Sequence, residues 1–447
     1  MSLTGDAKRT AGQSPPDGRA MAYHIAEEET LDRPSLAALQ RRKLAAMLDE
    51  ILPHNPFYRT KFVGWTAERA VSEFESLPIT TRAELEADQA THRPYGTNLT
   101  YPPSEYCRLH QTSGSTGVPL RVLDRAKDWE WWKRCWGIIY RGAGVISEDR
   151  FAFAFSFGPF IGFWAAFESA VAMGNMSLPA GGMSTSARLA YILANNVTVV
   201  CCTPTYALRL AEIAAAEKLD LAGSKVRLLI VAGEPGGSMS ATREAIEGAW
   251  GARVFDHTGM TETGPHGFEC VQSPGGVHLI ESEFIVEVVD PASGTALPDG
   301  QAGELVVTNL GRWGWPVIRY RTGDQVRVTR ERCACGRWFA RMEGGILGRI
   351  DDMLFIRGNN VFPAAVEDIV RGVGGVAEFR VYVAAKGAMT ALTIEVEAEG
   401  SGDAAPVAAR VERAIHDRLL FKPEVRVVAA GSLPRFEMKA KRVIRES

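Results

Sequence analysis

No apolar run in this chain of 447 residues reaches the ~18 needed to cross a bilayer. The nearest, FAFAFSFGPFIGFWAAF at 151–167, is broken by Gly158 and Pro159. The opening MSLTGDAKRTAGQSPPDGRA has no apolar h-region, so residues 1–22 are expected to be a disordered tail rather than a signal peptide, and the chain to be cytoplasmic. Neither sign of charge dominates: 50 Lys+Arg against 53 Asp+Glu leave a formal charge of −3. That balance gives no electrostatic basis for a nucleic acid or a membrane as partner. Seven cysteines, an odd number, exclude a full set of internal disulfides. Internal repeats are lacking too, as is a phosphate loop of the GxxxxGK[ST] type with its lysine. What remains is a globular composition, 46% hydrophobic and 23% charged, in a chain long enough for two domains.

PSLAALQRRKLAAMLDEIL (34–52) places Leu36, Leu39, Leu44, Met47, Leu48 and Ile51 on one helical face. Strand and helix signals then alternate: VTVVCC (197–202), YALRLAEIAAAEKL (206–219), VRLLIVAG (226–233), SATREAIEGAW (240–250) and ARVFDH (252–257). This rhythm predicts a parallel α/β sheet. From 277 to 330, short alternating strands with the turns DPASG and LPDG predict an antiparallel β portion. The fold class expected is therefore α/β, with a large N-terminal domain at 23–349 and a small mobile α+β domain at 350–447. The small unit has its own strands, EFRVYVAA and TALTIEVEA, and its own helix, PVAARVERAIHDRLL.

Three short stretches have the chemistry of a nucleotide site, although each also reads as an ordinary polar loop. HQTSGSTGVPL (110–120) gathers Thr112, Ser113, Gly114, Ser115, Thr116 and Gly117. Glycines let backbone N–H groups converge on an anion, and hydroxyls add donors. In DHTGMTETG (256–264), Thr261 can donate to a phosphate, and Glu262 offers the hard oxygen that magnesium prefers. In WPVIRYRTGDQV, Asp324 reads as sitting in a turn after a strand, where a carboxylate can accept both ribose hydroxyls.

TSGSTG, TGMTETG, YRTGD, GRIDD and Lys439 in FEMKAKR, in this order, resemble the adenylate-forming superfamily. Their spacing, with SLPITTRAEL, GNNVFPAAVED and LPRFEMKAKRV, is most similar to its phenylacetate–CoA ligase family. The resemblance implies ATP-dependent conversion of a carboxylic acid to acyl-AMP, then thioester formation with CoA or with the phosphopantetheine of a carrier protein. It implies that Thr112 to Gly117 close over the phosphates, that Thr261 holds the α-phosphate, and that Glu262 holds magnesium. Gly233, Glu234 and Pro235 would line adenine, Asp324 would bind ribose, and Arg349 would contact the nucleotide. Asp351 would be the hinge, Arg357 and Gly358 would lie on the CoA path, and Lys439 would bridge carboxylate and α-phosphate. Thr258 stands where relatives carry an aromatic against adenine, so either His257 contacts the base or ATP is held more weakly. Phe155, Phe157, Phe160, Phe163 and Trp164 are expected to clasp an aromatic acid, or else to fill core.

Cys270, Cys333 and Cys335 could supply three thiolates to a structural zinc, or could be free thiols. The fourth ligand would be His278, which the family pattern favours, or His266. A non-catalytic nucleotide-binding module is the rival of another class, and the presence together of Glu262, Asp324 and Lys439 argues against it. The expected partners are thus a small carboxylic acid, ATP and CoA, with a monomer or homodimer as the assembly.

Overall fold

The computed structural model describes residues 23–112, 119–356, 359–386, 389–399, 405–436 and 440–445. The N-terminal tail expected at 1–22 lies outside them. Strands Arg150–Phe153, Met176–Pro179, Val199–Cys202, Leu228–Val231 and Arg253–Met260 pair in parallel, with helices in the connections. Val199–Cys202 and Leu228–Val231 are buried along their whole length, as strands covered on both faces must be.

Residue alternation separates the two faces. Phe151, Phe153, Val199, Cys201, Leu228, Ile230 and Phe255 join one core with Trp129, Trp132 and Trp136 of helix Ala126–Gly142. Ala152, Val200, Cys202, Leu229, Val231 and Val254 join the other, with Leu189, Tyr206, Leu210, Ile246 and Trp250 from three helices. The helix predicted at 206–219 runs Pro204–Ala216, because Thr203 caps it and Pro204 starts it. That predicted at 240–250 is Ser240–Trp250.

At strand Arg253–Met260 the pairing turns antiparallel. Gly264–Glu269, Gly276–Leu279, Arg341–Glu343, Tyr320–Thr329, Ala302–Asn309 and Phe284–Val289 follow in spatial order and, with Gly348–Arg349 paired to Tyr320–Thr329, make one mixed sheet of 12 strands. The mixed α/β architecture thus matches the class expected. The placement of Asp324 needs correcting: it lies inside strand Tyr320–Thr329, not in a turn after a strand. Thr322, Gly323 and Asp324 bulge opposite Leu305, where the register shifts between Glu304 and Val306. Gly323 adopts φ +75, so a TGD sequence that resembles a turn is a bulge that re-aims one carboxylate.

The small C-terminal domain has a four-stranded sheet in the order Glu424–Val428, Met389–Ala398, Val376–Lys386, Val443–Arg445. Helices Pro363–Gly372 and Ala405–Leu419 accompany it, and Val366, Ile369, Phe379, Ile394, Val411 and Ile415 form a core of its own. Among the described residues no helix is long and apolar enough to cross a membrane.

Candidate active site

The parallel strands all end at one edge of the sheet, and the loops leaving that edge carry three groups of candidate residues. Arg150–Phe153 leads into the aromatic stretch, Leu228–Val231 into Gly233, Glu234 and Pro235, and Arg253–Met260 into Thr261 and Glu262. Open parallel sheets bind ligands at this edge. Gly236, at φ +144, brings the second loop against the helix at Pro204, where an added Cβ would lie 2.6 Å from the proline Cβ.

Thr112 closes the hairpin of strands Tyr106–Gln111 and Arg121–Arg125. Its N–H donates to the Leu120 carbonyl and its hydroxyl accepts the Leu120 N–H, both at 3.0 Å. Ser113, Gly114, Ser115, Thr116 and Gly117 lie outside the described residues, as do Arg357, Gly358 and Lys439. The Thr112 hydroxyl also accepts a hydrogen bond from Arg82 at 3.0 Å, and the same guanidinium donates to Glu262 Oε1 at 2.8 Å. One arginine thus joins the phosphate-loop candidate to the magnesium candidate. Burial raises the Glu262 carboxyl above its usual range, with the Arg82 charge acting against that rise.

Arg82 had no role in the sequence expectations, although it lies within SLPITTRAEL. The available signal was Thr81-x-x-Glu84, a capping box in which each side chain accepts the other residue's N–H. It makes Arg82 the first residue of helix Arg82–Thr91 and sets its position beside Thr112.

Asp124 and Arg312 were missed as well. Both are fully buried, and they form a two-pronged ion pair at 2.7 and 2.8 Å. The remaining arm of Arg312 donates to the carbonyls of Thr261 at 2.7 Å and Glu262 at 3.1 Å. The pair therefore supports the turn that presents both candidates. Nothing local in the sequence marks it, since 188 positions separate the partners.

Asp324 and Arg349 are strand neighbours and form an ion pair at 3.2 Å. Arg349 also reaches Asp351 at 3.1 Å, and the Asp351 carbonyl accepts from Arg445 at 3.3 Å. Ribose, nucleotide and hinge candidates thus form a continuous chain of contacts from the large sheet to the last strand of the small domain.

His257 donates through Nδ1–H to the Gly267 carbonyl at 2.7 Å and packs 4.3 Å from the Trp136 ring. Burial lowers its pKa to about 4, so the ring is neutral near pH 7. It shares a strand face with Phe255, on the side of the aromatic cluster, whereas Thr258 points to the opposite face. The aromatic candidates do converge: Phe155 lies 4.4 Å from Phe157 and 5.2 Å from Phe163, and Phe157 lies 4.7 Å from Trp164. Phe160 meets Phe155 at 6.4 Å.

Away from this edge, Cys270, His278, Cys333 and Cys335 bring their ligand atoms within 4.8 Å of one another, all four residues buried. Cys270 and Cys333 sulfurs are 3.7 Å apart, and Cys335 Sγ is 3.6 Å from His278 Nε2. A disulfide needs about 2.05 Å. Ligands of a tetrahedral zinc with bonds of about 2.3 Å lie roughly 3.8 Å apart, so the spacing fits that ion. His278 Nδ1 faces the Phe339 carbonyl at 3.4 Å, the outer contact that orients a ligating imidazole. His266, the alternative fourth ligand, is not in this group: its Nδ1 pairs with Thr263 at 3.1 Å and its ring packs against Phe284. His266 lies on strand Gly264–Glu269 and Cys270 just past its end, so four residues of extended chain, at about 3.3 Å each, hold their side chains apart.

The family model described as AMP-binding enzyme matches residues 42–311, and that described as AMP-binding enzyme C-terminal domain matches 358–446. The chain is 32% identical to phenylacetate-coenzyme A ligase of Escherichia coli over 429 residues, 93% of this chain and 96% of that one. It is 30% identical to phenylacetate-coenzyme A ligase of Pseudomonas putida over 437 residues, 94% and 97% of the two chains. Among solved structures it is similar to 2-hydroxyisobutyryl-CoA ligase in the postadenylation state in complex with 2-HIB-AMP, with TM-score 0.90. The same enzyme in complex with 2-HIB-AMP and CoA in the thioesterification state gives 0.72. Both comparisons are at 28% identity and cover 98% of this chain and 95% of the other.

Proposed function

The chain belongs to the AMP-binding enzyme family, in its phenylacetate–coenzyme A ligase branch, and on that premise we propose that its acid is aromatic. It is an acid–thiol ligase. A carboxylate oxygen attacks the α-phosphorus of ATP, and the bond to pyrophosphate breaks. The CoA sulfur then attacks the acyl carbon, and AMP leaves with the electrons of the acyl–oxygen bond.

The observation that supports the adenylation role best is Arg82, which sits in hydrogen-bond contact with both Thr112 and Glu262. Relatives often keep a lysine in the first loop, where this chain has Val118; Arg82 puts a fixed positive charge beside that loop. Glu262, a buried carboxylate already holding one cationic partner, suits a magnesium ion, which would supply further charge to the phosphates. Asp324 accepts the ribose hydroxyls, and Arg349 holds that carboxylate in place. Arg312 fixes the carbonyls behind Thr261 and Glu262, so both side chains meet the nucleotide with little reorganisation.

The contacts of Phe155 with Phe157, Phe160 and Phe163, and the edge contact of Phe157 with Trp164, favour an aromatic ring over a short aliphatic acid. Pyrophosphate release measured across a panel of aryl, arylacetic and short aliphatic acids, with and without CoA, tests this. Turnover is expected with aromatic members at a kcat/KM at least tenfold above the aliphatic ones. A preference for short aliphatic acids would overturn the aromatic assignment.

Zinc at Cys270, His278, Cys333 and Cys335 is the second proposal. Four protein ligands leave no open position, so the ion would be structural. It would tie the turn after strand Gly264–Glu269 and strand Gly276–Leu279 to the loop between Tyr320–Thr329 and Arg341–Glu343. Elemental analysis of protein purified without added metal is expected to give one zinc per chain, and removal by a chelator to lower the melting temperature. A folded, active protein with far less than one zinc per chain would count against it.

A further inference from the structure

The structure assigns to Glu234 a positioning role: its carboxylate latches the C-terminal segment into the arrangement used for acyl-AMP formation. This rests on the ligase function proposed above. Glu234 leaves the end of strand Leu228–Val231 and accepts two N–H donors. Oε1 takes the Thr205 N–H at 2.8 Å, at the start of helix Pro204–Ala216 in the large domain. Oε2 takes the Ala440 N–H at 2.7 Å, in the small domain, and Ala440 directly follows Lys439 in the chain. A single carboxylate therefore joins a large-domain helix terminus to the backbone beside the lysine expected to act on the α-phosphate.

Neighbouring contacts reinforce the same docking. Arg442 is held inside the small domain by Glu378 at 2.8 Å and Glu367 at 3.1 Å, and its Nη1 donates to the Thr205 hydroxyl at 3.3 Å. Helix Ser240–Trp250 has no side-chain cap from its own domain, and its Ala241 N–H faces the small domain's Asp368 at 3.4 Å. The large-domain helix starting at Pro204 presents its positive terminus to the Glu234 carboxyl group. Two states of one related ligase match this chain at equal coverage but unequal TM-score, and the better match is the postadenylation arrangement.

A latch of this kind has opposite consequences for the two half-reactions. It populates the conformation in which the C-terminal segment faces the nucleotide, and it must open before the small domain can present another face to the thiol. The test uses the full chain with Glu234→Gln, Glu234→Ala and Thr205→Val, the last of which removes the acceptor for Arg442 and alters none of the residues assigned to line adenine. At saturating nucleotide, Glu234→Ala is expected to slow acyl-AMP formation roughly ten- to a hundredfold, the loss of a charge-assisted contact. Thioester formation from supplied acyl-AMP should stay within about twofold, or rise. Glu234→Gln, which keeps one acceptor oxygen, and Thr205→Val should show the same split at smaller amplitude. A change confined to KM for ATP, or equal loss of both half-reactions, would overturn the latch. Hydrogen exchange read on peptides spanning Thr205 and Ala440 decides the matter even if no acid in the panel is turned over. Faster exchange at both sites in Glu234→Ala supports the latch, and unchanged exchange overturns it whatever the substrate.

Discussion

Arg312→Met is expected to destabilise the large domain by about 3–5 kcal/mol in urea unfolding, because it strands the buried Asp124 carboxylate. Both partners are fully buried, and besides Arg312 the Asp124 carboxylate accepts from Trp132 Nε1 at 3.2 Å. Burial alone pushes the Asp124 carboxyl upward, but Arg312 and His110 outweigh it and hold the carboxyl below its usual range. The pair therefore contributes stability above the unfolded carboxylate value of about 3.9, and that stability is lost as pH falls through the lower folded value. Without Arg312 the burial effect is opposed mainly by His110, so acid unfolding of the single variant should begin at higher pH. Replacing both residues, Asp124→Leu with Arg312→Met, removes the stranded charge and should restore most of the stability. It should not restore turnover, since the carbonyls of Thr261 and Glu262 still lack their donor. A double variant no more stable than Arg312→Met would show that stranded charge is not the main loss.

Lys439→Ala is expected to lower acyl-AMP formation by about 10²–10³ or more while sparing thioester formation from supplied acyl-AMP. In the first half-reaction two anions meet, the carboxylate and the α-phosphate, and a lysine between them offsets charge at the moment it concentrates. In the second, a thiol attacks an acyl carbon already activated by its phosphate leaving group, and no phosphorus bond is made. The residue that follows the lysine, Ala440, donates its N–H to Glu234, 206 positions earlier in the chain. Equal loss in both half-reactions would remove Lys439 from the role. Its signature differs from that of Glu234→Gln, which should weaken the same half-reaction only partly.

Short-range features were the legible ones. The helices at 240–250 and 405–419 show in apolar spacing and, for the first, in the left-handed Gly251 that ends it. Strands 199–202 and 228–231 show as unbroken apolar runs because both of their faces are covered. Asp324 was found as a residue but placed in a turn, because Thr-Gly-Asp has the same local preferences in a bulge as in a turn, and only the partner strand distinguishes them. Arg82 carried a readable cap signal, yet its contacts lie with Thr112 and Glu262, 30 and 180 positions away. Asp124 and Arg312 had no signal, since a buried ion pair looks in sequence like any two surface charges.

The amino-acid sequence by itself determined the α/β class, the order of nucleotide motifs that marks the family, and the residue types available at each step of the chemistry. These follow from local propensity, from periodicity and from the identity of the side chains. The tertiary structure alone decided that Arg82 joins the first loop to Glu262, that Arg312 braces the turn behind it, and that His278 rather than His266 meets the three cysteines. It also decided that Glu234 reaches across to Ala440. Each of these depends on which distant segments the sheet brings side by side, and a charge or a lone pair acquires its role only when its partner has been brought within about 3 Å and water has been excluded.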